Sequence, residues 1–135
     1  MIVLHAFTGG RGHTRIALVD DDALYREAVA AELEDRGFSV DGFADGAALL
    51  AALQGGFRAH VALVDWSLPY MSGLDLLRTM RGDGHGLPVA FLTGRPHREY
   101  EGMAIAAGAV DFIDKTCGIE ELVGRLSRIT GKDAA

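Results

Sequence analysis

The run Val61-Ala62-Leu63-Val64-Asp65 constrains this chain of 135 residues more than any other stretch. Four apolar residues, two of them valine, end at a carboxylate. Such a run suits a strand buried on both faces, as in a parallel sheet. Pro69 and Gly73 then mark a loop, and Leu74, Leu77 and Met80 open a helical pattern. Asp65 is therefore expected at the carboxyl end of a central strand, where ligands bind in open α/β sheets. On this stretch alone, an Asx-turn or a helix cap explains the aspartate as well.

The same alternation runs along the chain. Residues 15–20 read as a first strand, followed at once by Asp20, Asp21 and Asp22. Asp22 is the expected N-cap of a helix over 23–36, with Leu24, Ala28, Ala31 and Leu33 near helical spacing and Gly37 as its stop. Phe38, Val40 and Phe43 alternate with polar residues in a second strand. Asp45 caps a short helix that runs through Leu53. The strand into Asp65 is third, and a helix over 73–81 follows it. Residues 88–93 make a fourth strand with Pro88 at its first position, where proline is tolerated. A helix over 97–107 and a fifth strand over 110–113 come next. Ile119, Leu122, Val123, Leu126 and Ile129 then form the apolar stripe of a last helix. Strands alternating with helices predict a parallel sheet covered on both faces.

Composition bounds the function. Apolar residues make up 49% and charged residues 24%, the balance of a soluble globular domain. The net charge of −6 argues against this segment itself gripping nucleic acid. One cysteine, Cys117, excludes an intrachain disulfide framework and reads as a free thiol in a loop. No run is long enough to span a membrane and no secretory leader is read, so the cytoplasm is expected. The breaker cluster at residues 8–13 makes 1–14 an expected flexible tail. A single domain is expected over 15–131, with 132–135 as a tail or the start of a linker.

In the strand order 2-1-3-4-5, strands one and three are neighbours at the point where the order reverses. Asp20, Asp21 and Asp65 then converge, with Thr93 after strand four and Lys115 after strand five. Crowded carboxylates repel unless a cation neutralises them. Oxygen ligands of this kind suit Mg²⁺, which keeps waters and accepts phosphate oxygens. An aspartate beside Mg²⁺ can attack a phosphoryl group. Lys115 would balance charge on the phosphoryl oxygens, and the Thr93 hydroxyl would donate to one of them. Taken singly, each has a plainer reading. The three aspartates complement a helix dipole, Thr93 is a turn residue, and Lys115 is a solvated charge.

The motifs Ile16-Ala17-Leu18-Val19-Asp20-Asp21, Leu63-Val64-Asp65 with Pro69 and Gly73, Leu92-Thr93, and Ala107 through Lys115 closely resemble the receiver domain of bacterial two-component response regulators. The resemblance covers about residues 15–130 and implies a flavodoxin-like (βα)5 three-layer sandwich. It implies that Asp65 is the phosphoacceptor, that Asp21 binds Mg²⁺ directly, and that Asp20 does so chiefly through water. It adds the backbone carbonyl of Ser67 as a further ligand. Thr93 would follow the phosphoryl group, and Phe112 would rotate inward behind it. The implied partner is a sensor histidine kinase, and the implied role is a signalling domain with self-catalysed dephosphorylation rather than an enzyme. The end of the chain resembles receivers that carry a winged-helix DNA-binding domain. Those form homodimers through the fourth helix, fifth strand and fifth helix, which here assigns Asp111, Glu121 and Arg125 to that face.

Two departures from the family pattern stand out. Thr116 follows Lys115 where proline is usual, and a trans bond is expected there because cis before a non-proline costs about 2.5–4 kcal/mol. Glu101 lies where the fourth helix usually offers a lysine to meet the acid at Glu121. Two other readings remain. One is a small phosphatase with Asp20-x-Asp22 as its nucleophile pair. The other is a degenerate receiver that serves only as a protein-binding scaffold.

Overall fold

Along β1 (Thr14–Val19), Ile16 and Leu18 face one side of a sheet while Ala17 and Val19 face the other, and all four are fully buried. That alternation, with both faces covered, repeats in β3 (Val61–Asp65) and β4 (Val89–Thr93). It is the signature of a parallel sheet inside two helical layers. The computed structural model describes residues 13–132. With β2 (Phe38–Phe43) and β5 (Asp111–Asp114) at the edges, the strands pair in parallel in the order β2-β1-β3-β4-β5. The expected fold is the one observed.

Two apolar cores lie on the two faces. One joins Val19, Val64 and Phe91 to Leu49 and Leu53 of α2 (Gly46–Gln54), Leu76, Leu77 and Met80 of α3 (Gly73–Gly82) and Ala104 of α4 (Arg98–Ala106). The other joins Leu18, Leu63, Leu92 and Ile113 to Leu33 of α1 (Ala23–Asp35) and Leu122, Val123 and Leu126 of α5 (Ile119–Thr130).

Local chemistry sets the helix starts. Asp22 caps α1 by accepting from the Tyr25 amide at 3.2 Å, and Asp45 caps α2 from Ala48 at 2.8 Å. Ser72 caps α3, and the Nδ1 of His97 accepts from the Glu99 amide at the start of α4. Caps of the carboxylate and hydroxyl type are worth about 1 kcal/mol each.

The expected apolar stripe of α1 is corrected. Leu24 is 80% exposed, and Ala28 and Ala31 are exposed too. The inward face is Tyr25, Val29 and Leu33, spaced by four. Strand ends also shift by a residue. Thr14, expected in the tail, pairs with Phe38 and opens β1. Pro88 precedes β4 rather than opening it, and β5 starts at Asp111, one residue after Val110, whose amide donates to the Val89 carbonyl. Residues 1–12 and 133–135 of the expected tails lie outside the described residues.

Gly73 lets α3 begin directly under the end of β3. A Cβ there would lie 2.6 Å from the Asp65 carbonyl oxygen and 2.8 Å from the Phe91 ring. We expect Gly73→Ala to destabilise the fold by roughly 1–3 kcal/mol through overpacking. Gly102, exposed within α4 with open space around it, should instead tolerate alanine with a gain of roughly 0.5–1 kcal/mol. Urea unfolding of the two variants checks the opposite signs.

Candidate functional site

The site follows from the register. Val19 pairs with Val64, so the next residues, Asp20 and Asp65, emerge side by side at the carboxyl edge. Asp21 continues from Asp20 into the loop and stays exposed, whereas Asp20 is wholly buried and Asp65 nearly so. One carboxylate oxygen from each of Asp20, Asp21 and Asp65 lies within 4.8 Å of the other two. The donors are all hard oxygens, and one carboxylate faces solvent. That set fits a hard divalent cation that keeps part of its water shell.

Lys115 reaches this cluster from the loop after β5. Its backbone amide donates to the Thr93 carbonyl at 2.8 Å, which anchors the loop to β4. Its Nζ donates to Asp20 Oδ2 at 2.7 Å and stands 3.6 Å from Asp65 Oδ2. Its ammonium also lies over the ring of Tyr25, 4.5 Å from the centroid. The peptide bond after Lys115 is trans, as expected. Thr116 holds the turn by another means: its amide and its hydroxyl both donate to Asp114 Oδ1 at 2.8 Å. Those two bonds hold the Asp114 carboxyl below the usual range.

Burial pushes the Asp65 carboxyl above its usual pKa. The amide of Ser67, donating to Asp65 Oδ1 at 3.1 Å, opposes the shift. Asp20 and Asp21 push it further up, and Lys115 pulls it down. For Lys115, burial works against the ammonium, but the hydrogen bond to Asp20 and the charges of Asp20 and Asp65 outweigh it and leave the pKa raised. The Tyr25 phenol is pushed up to about 12, first by burial and then by the charge of Asp20. It therefore stays neutral at any physiological pH.

The remaining expected site residues divide into near and far. Thr93 ends β4, one residue past the Leu92 that pairs with Asp65, and its Oγ1 accepts from the Arg95 amide at 3.1 Å. Phe112 is already buried, at 8% exposure, with its ring edge-on to Trp66. Asp111, Glu121 and Arg125 lie away from the carboxylates and join each other within one chain. Arg125 Nη1 grips both oxygens of Asp111 at 2.7 and 2.9 Å, and its Nε donates to Glu121 at 3.1 Å. Cys117 is a free thiol in the loop before α5, as read from its solitary place in the chain.

Two contributors were missed in the sequence. Tyr25 is one, because its spacing of four from Val29 is matched by that of Leu24 from Ala28 and does not by itself say which pair faces inward. Arg26 is the other. Its Nη1 donates to the Asp20 carbonyl at 2.6 Å, and its stem lies across Gly42, where a Cβ would stand 3.1 Å from it.

Comparison with known proteins agrees with this geometry. The profile of the response regulator receiver domain matches residues 16–127. The two-component response regulator PhoP of Pseudomonas aeruginosa is 34% identical over 115 residues, which cover 85% of this chain and 51% of that protein. The probable transcriptional regulatory protein TcrX of Mycobacterium tuberculosis is 36% identical over 111 residues, covering 82% of this chain and 47% of that one. The chain thus spans about half the length of the curated relatives it matches. The solved structure of the chemotaxis response regulator CheY4 of Vibrio cholerae superposes with a TM-score of 0.79 at 28% identity, covering 87% of this chain and 99% of that one. No helix among the described residues is long and apolar enough to cross a membrane.

A carboxyl whose pKa is higher folded than unfolded binds its proton more tightly in the folded state. Stability then falls as pH rises from the ordinary carboxylate value, about 3.9, through the folded value. Asp65→Asn removes that penalty. In metal-free buffer the variant should unfold at a higher temperature than the wild type at pH 7, and its advantage should shrink as the pH falls toward the ordinary range. Thermal melts across pH check both the sign and the trend.

Proposed function

This chain belongs to the response regulator receiver family, and from that premise we propose that it accepts a phosphoryl group on Asp65 from a partner histidine kinase, with Mg²⁺ as cofactor. The observation that carries this reading is the cluster of Asp20, Asp21 and Asp65 within 4.8 Å, faced by the Lys115 ammonium. Asp20, Asp21, Asp65 and the Ser67 carbonyl would hold the ion. When bound, it supplies positive charge that offsets the carboxylates and the incoming phosphoryl oxygens.

The transfer is a displacement at phosphorus. One Asp65 oxygen forms the new P–O bond while the P–N bond to the donor imidazole breaks, and the leaving nitrogen keeps the electron pair and takes up a proton. The carboxylate must be ionised to attack, so the raised pKa of Asp65 works against the metal-free site and in favour of a cation beside it. Lys115 is within a short swing of Asp65 and can pair with a phosphoryl oxygen there. Thr93 uses an oxygen lone pair toward Arg95, which leaves its own proton free to donate to the phosphoryl group.

The output side of the proposal is a population shift in the face formed by α4, β5 and α5. Trp66 follows Asp65 directly, and its ring touches Phe91, Phe112 and Tyr100 at centroid distances of 5.1, 5.4 and 5.6 Å. A movement of Thr93 next to this cluster would therefore be felt by α4 through Tyr100 and by β5 through Phe112. Exposed Val110, which lines a groove with Asp111, Arg125 and Ile129 on that face, supports a homodimer through it. Control of transcription through an effector domain is the output proposed, by likeness to TcrX.

The phosphatase reading is less favoured. Asp22, its second acid, is committed as the N-cap of α1. Incubation with acetyl phosphate and Mg²⁺ separates the readings by mass mapping. One phosphoryl group on Asp65, absent from Asp65→Asn, is the expected result. Label on Asp20 would support the phosphatase, and absence of label would support the scaffold.

A further inference from the structure

We propose that Tyr25 is a positioning residue that holds the Lys115 ammonium at the acidic pocket through the face of its ring. The inference deepens the reading of Asp65 as phosphoacceptor and rests on it. Lys115 Nζ lies 4.5 Å from the Tyr25 centroid, within the range of a cation–π contact. The contact spans 90 positions of sequence and joins α1 to the loop after β5.

Both ends are fixed by the backbone. The Tyr25 amide is bound by the Asp22 carboxylate, which is continuous with Asp20 and Asp21. The Lys115 amide is bound to β4. The tyrosine ring lines a cavity of about 200 Å³ between α1 and α5, with Val29, Leu92, Ile119 and Leu122 beside it. Tyr25 is also packed against the core that holds Leu33, Leu92 and Leu122, so its place is set by apolar contact as well as by the charges it faces.

The ring does something that a third carboxylate could not. The ammonium leans toward Asp20, at 2.7 Å against 3.6 Å to Asp65. Service to a phosphoryl group on Asp65 requires it to shift toward that side. A carboxylate partner is directional and would hold the ammonium where it is. A ring face attracts a cation over an area, so Nζ can pivot between the two aspartates while keeping the contact. The ring also shields the lysine from water, and the side chain is only 20% exposed. Lys115 is otherwise a long flexible chain with rotamer entropy to lose.

The test uses the full chain with Mg²⁺ and beryllofluoride, read by Trp66 fluorescence, in wild type, Tyr25→Leu and Tyr25→Phe. Leucine keeps the apolar packing and removes the ring face. We expect Tyr25→Leu to weaken beryllofluoride binding about 3- to 30-fold, the range of a cation–π contact. Tyr25→Phe should rescue it, and in a Lys115→Met background Tyr25→Leu should cause no further loss. The inference is overturned by wild-type affinity in Tyr25→Leu, by an equal loss in Tyr25→Phe, or by an equal loss when Lys115 is already absent.

A second readout stands apart from phosphoryl chemistry. Ring current should move the Lys115 ε-methylene protons upfield in the NMR spectra of wild type and Tyr25→Phe. Unshifted protons overturn the contact even if Tyr25→Leu does not fold. Wild-type protein that binds no beryllofluoride at all would instead sink the Asp65 reading, and the inference with it.

Discussion

Like charge held at close quarters is the condition on which this molecule turns. Two carboxylates about 4 Å apart repel by roughly 1 kcal/mol in water and about 4 kcal/mol in the effective dielectric near a protein surface. Three of them meet where β1 and β3 end together. The fold keeps them there with fully buried strands on either side and with a glycine at the start of α3 that admits no side chain. Relief comes from several directions at once. Lys115 brings a positive charge, Ser67 an amide to Asp65, and Arg26 a guanidinium to the Asp20 carbonyl. The relief is partial: three carboxylates face one ammonium, and burial first, then Asp20 and Asp21, keep the Asp65 carboxyl above its ordinary pKa. A site left short of positive charge is one whose state changes when a cation or a phosphoryl group arrives.

The carboxylates have a short physical route, along one face of the sheet, to α4 and β5. Trp66 is the residue after Asp65, and its amide donates to the Leu92 carbonyl, next to Thr93. Its ring is packed edge-on against Phe91 and Phe112 and tilted on Tyr100. Tyr100 in turn meets the ring of His97, whose Nδ1 caps α4. Packed rings exchange few arrangements rather than many, which suits a cluster that couples the carboxylates to α4 and β5.

Much of this was legible in the chain itself. The apolar runs 16–19 and 61–64, each followed by an aspartate, mark strand ends because a carboxylate is costly between the two covered faces of the sheet. Strand order then brings those ends together. Asp22, Asp45 and Gly37 were readable as cap and stop because their roles depend on neighbours within four residues. Other features were hidden because they depend on orientation or on distant sequence. The stripe through Leu24, Ala28 and Ala31 has nearly helical spacing, yet α1 turns Tyr25, Val29 and Leu33 to the sheet. Only burial in the folded state distinguishes the two. The Glu121–Arg125 pair, four residues apart on α5, follows from helix spacing, whereas the pairing of Arg125 with Asp111 inside one chain, and of Lys115 with the Tyr25 ring, arises from side-chain directions that no local pattern encodes. The role of Thr116 is of the same kind: a threonine amide and hydroxyl on Asp114 secure the turn without proline.

The central claim is that these carboxylates form one cation site whose charge balance readies Asp65 for phosphorylation. Isothermal titration with Mg²⁺ at neutral pH tests it most directly. The account predicts one saturable ion per chain, weakened at least about tenfold, or roughly 1.4 kcal/mol, by Asp21→Asn. Absence of saturable binding, or binding that Asp21→Asn leaves unchanged, would contradict it.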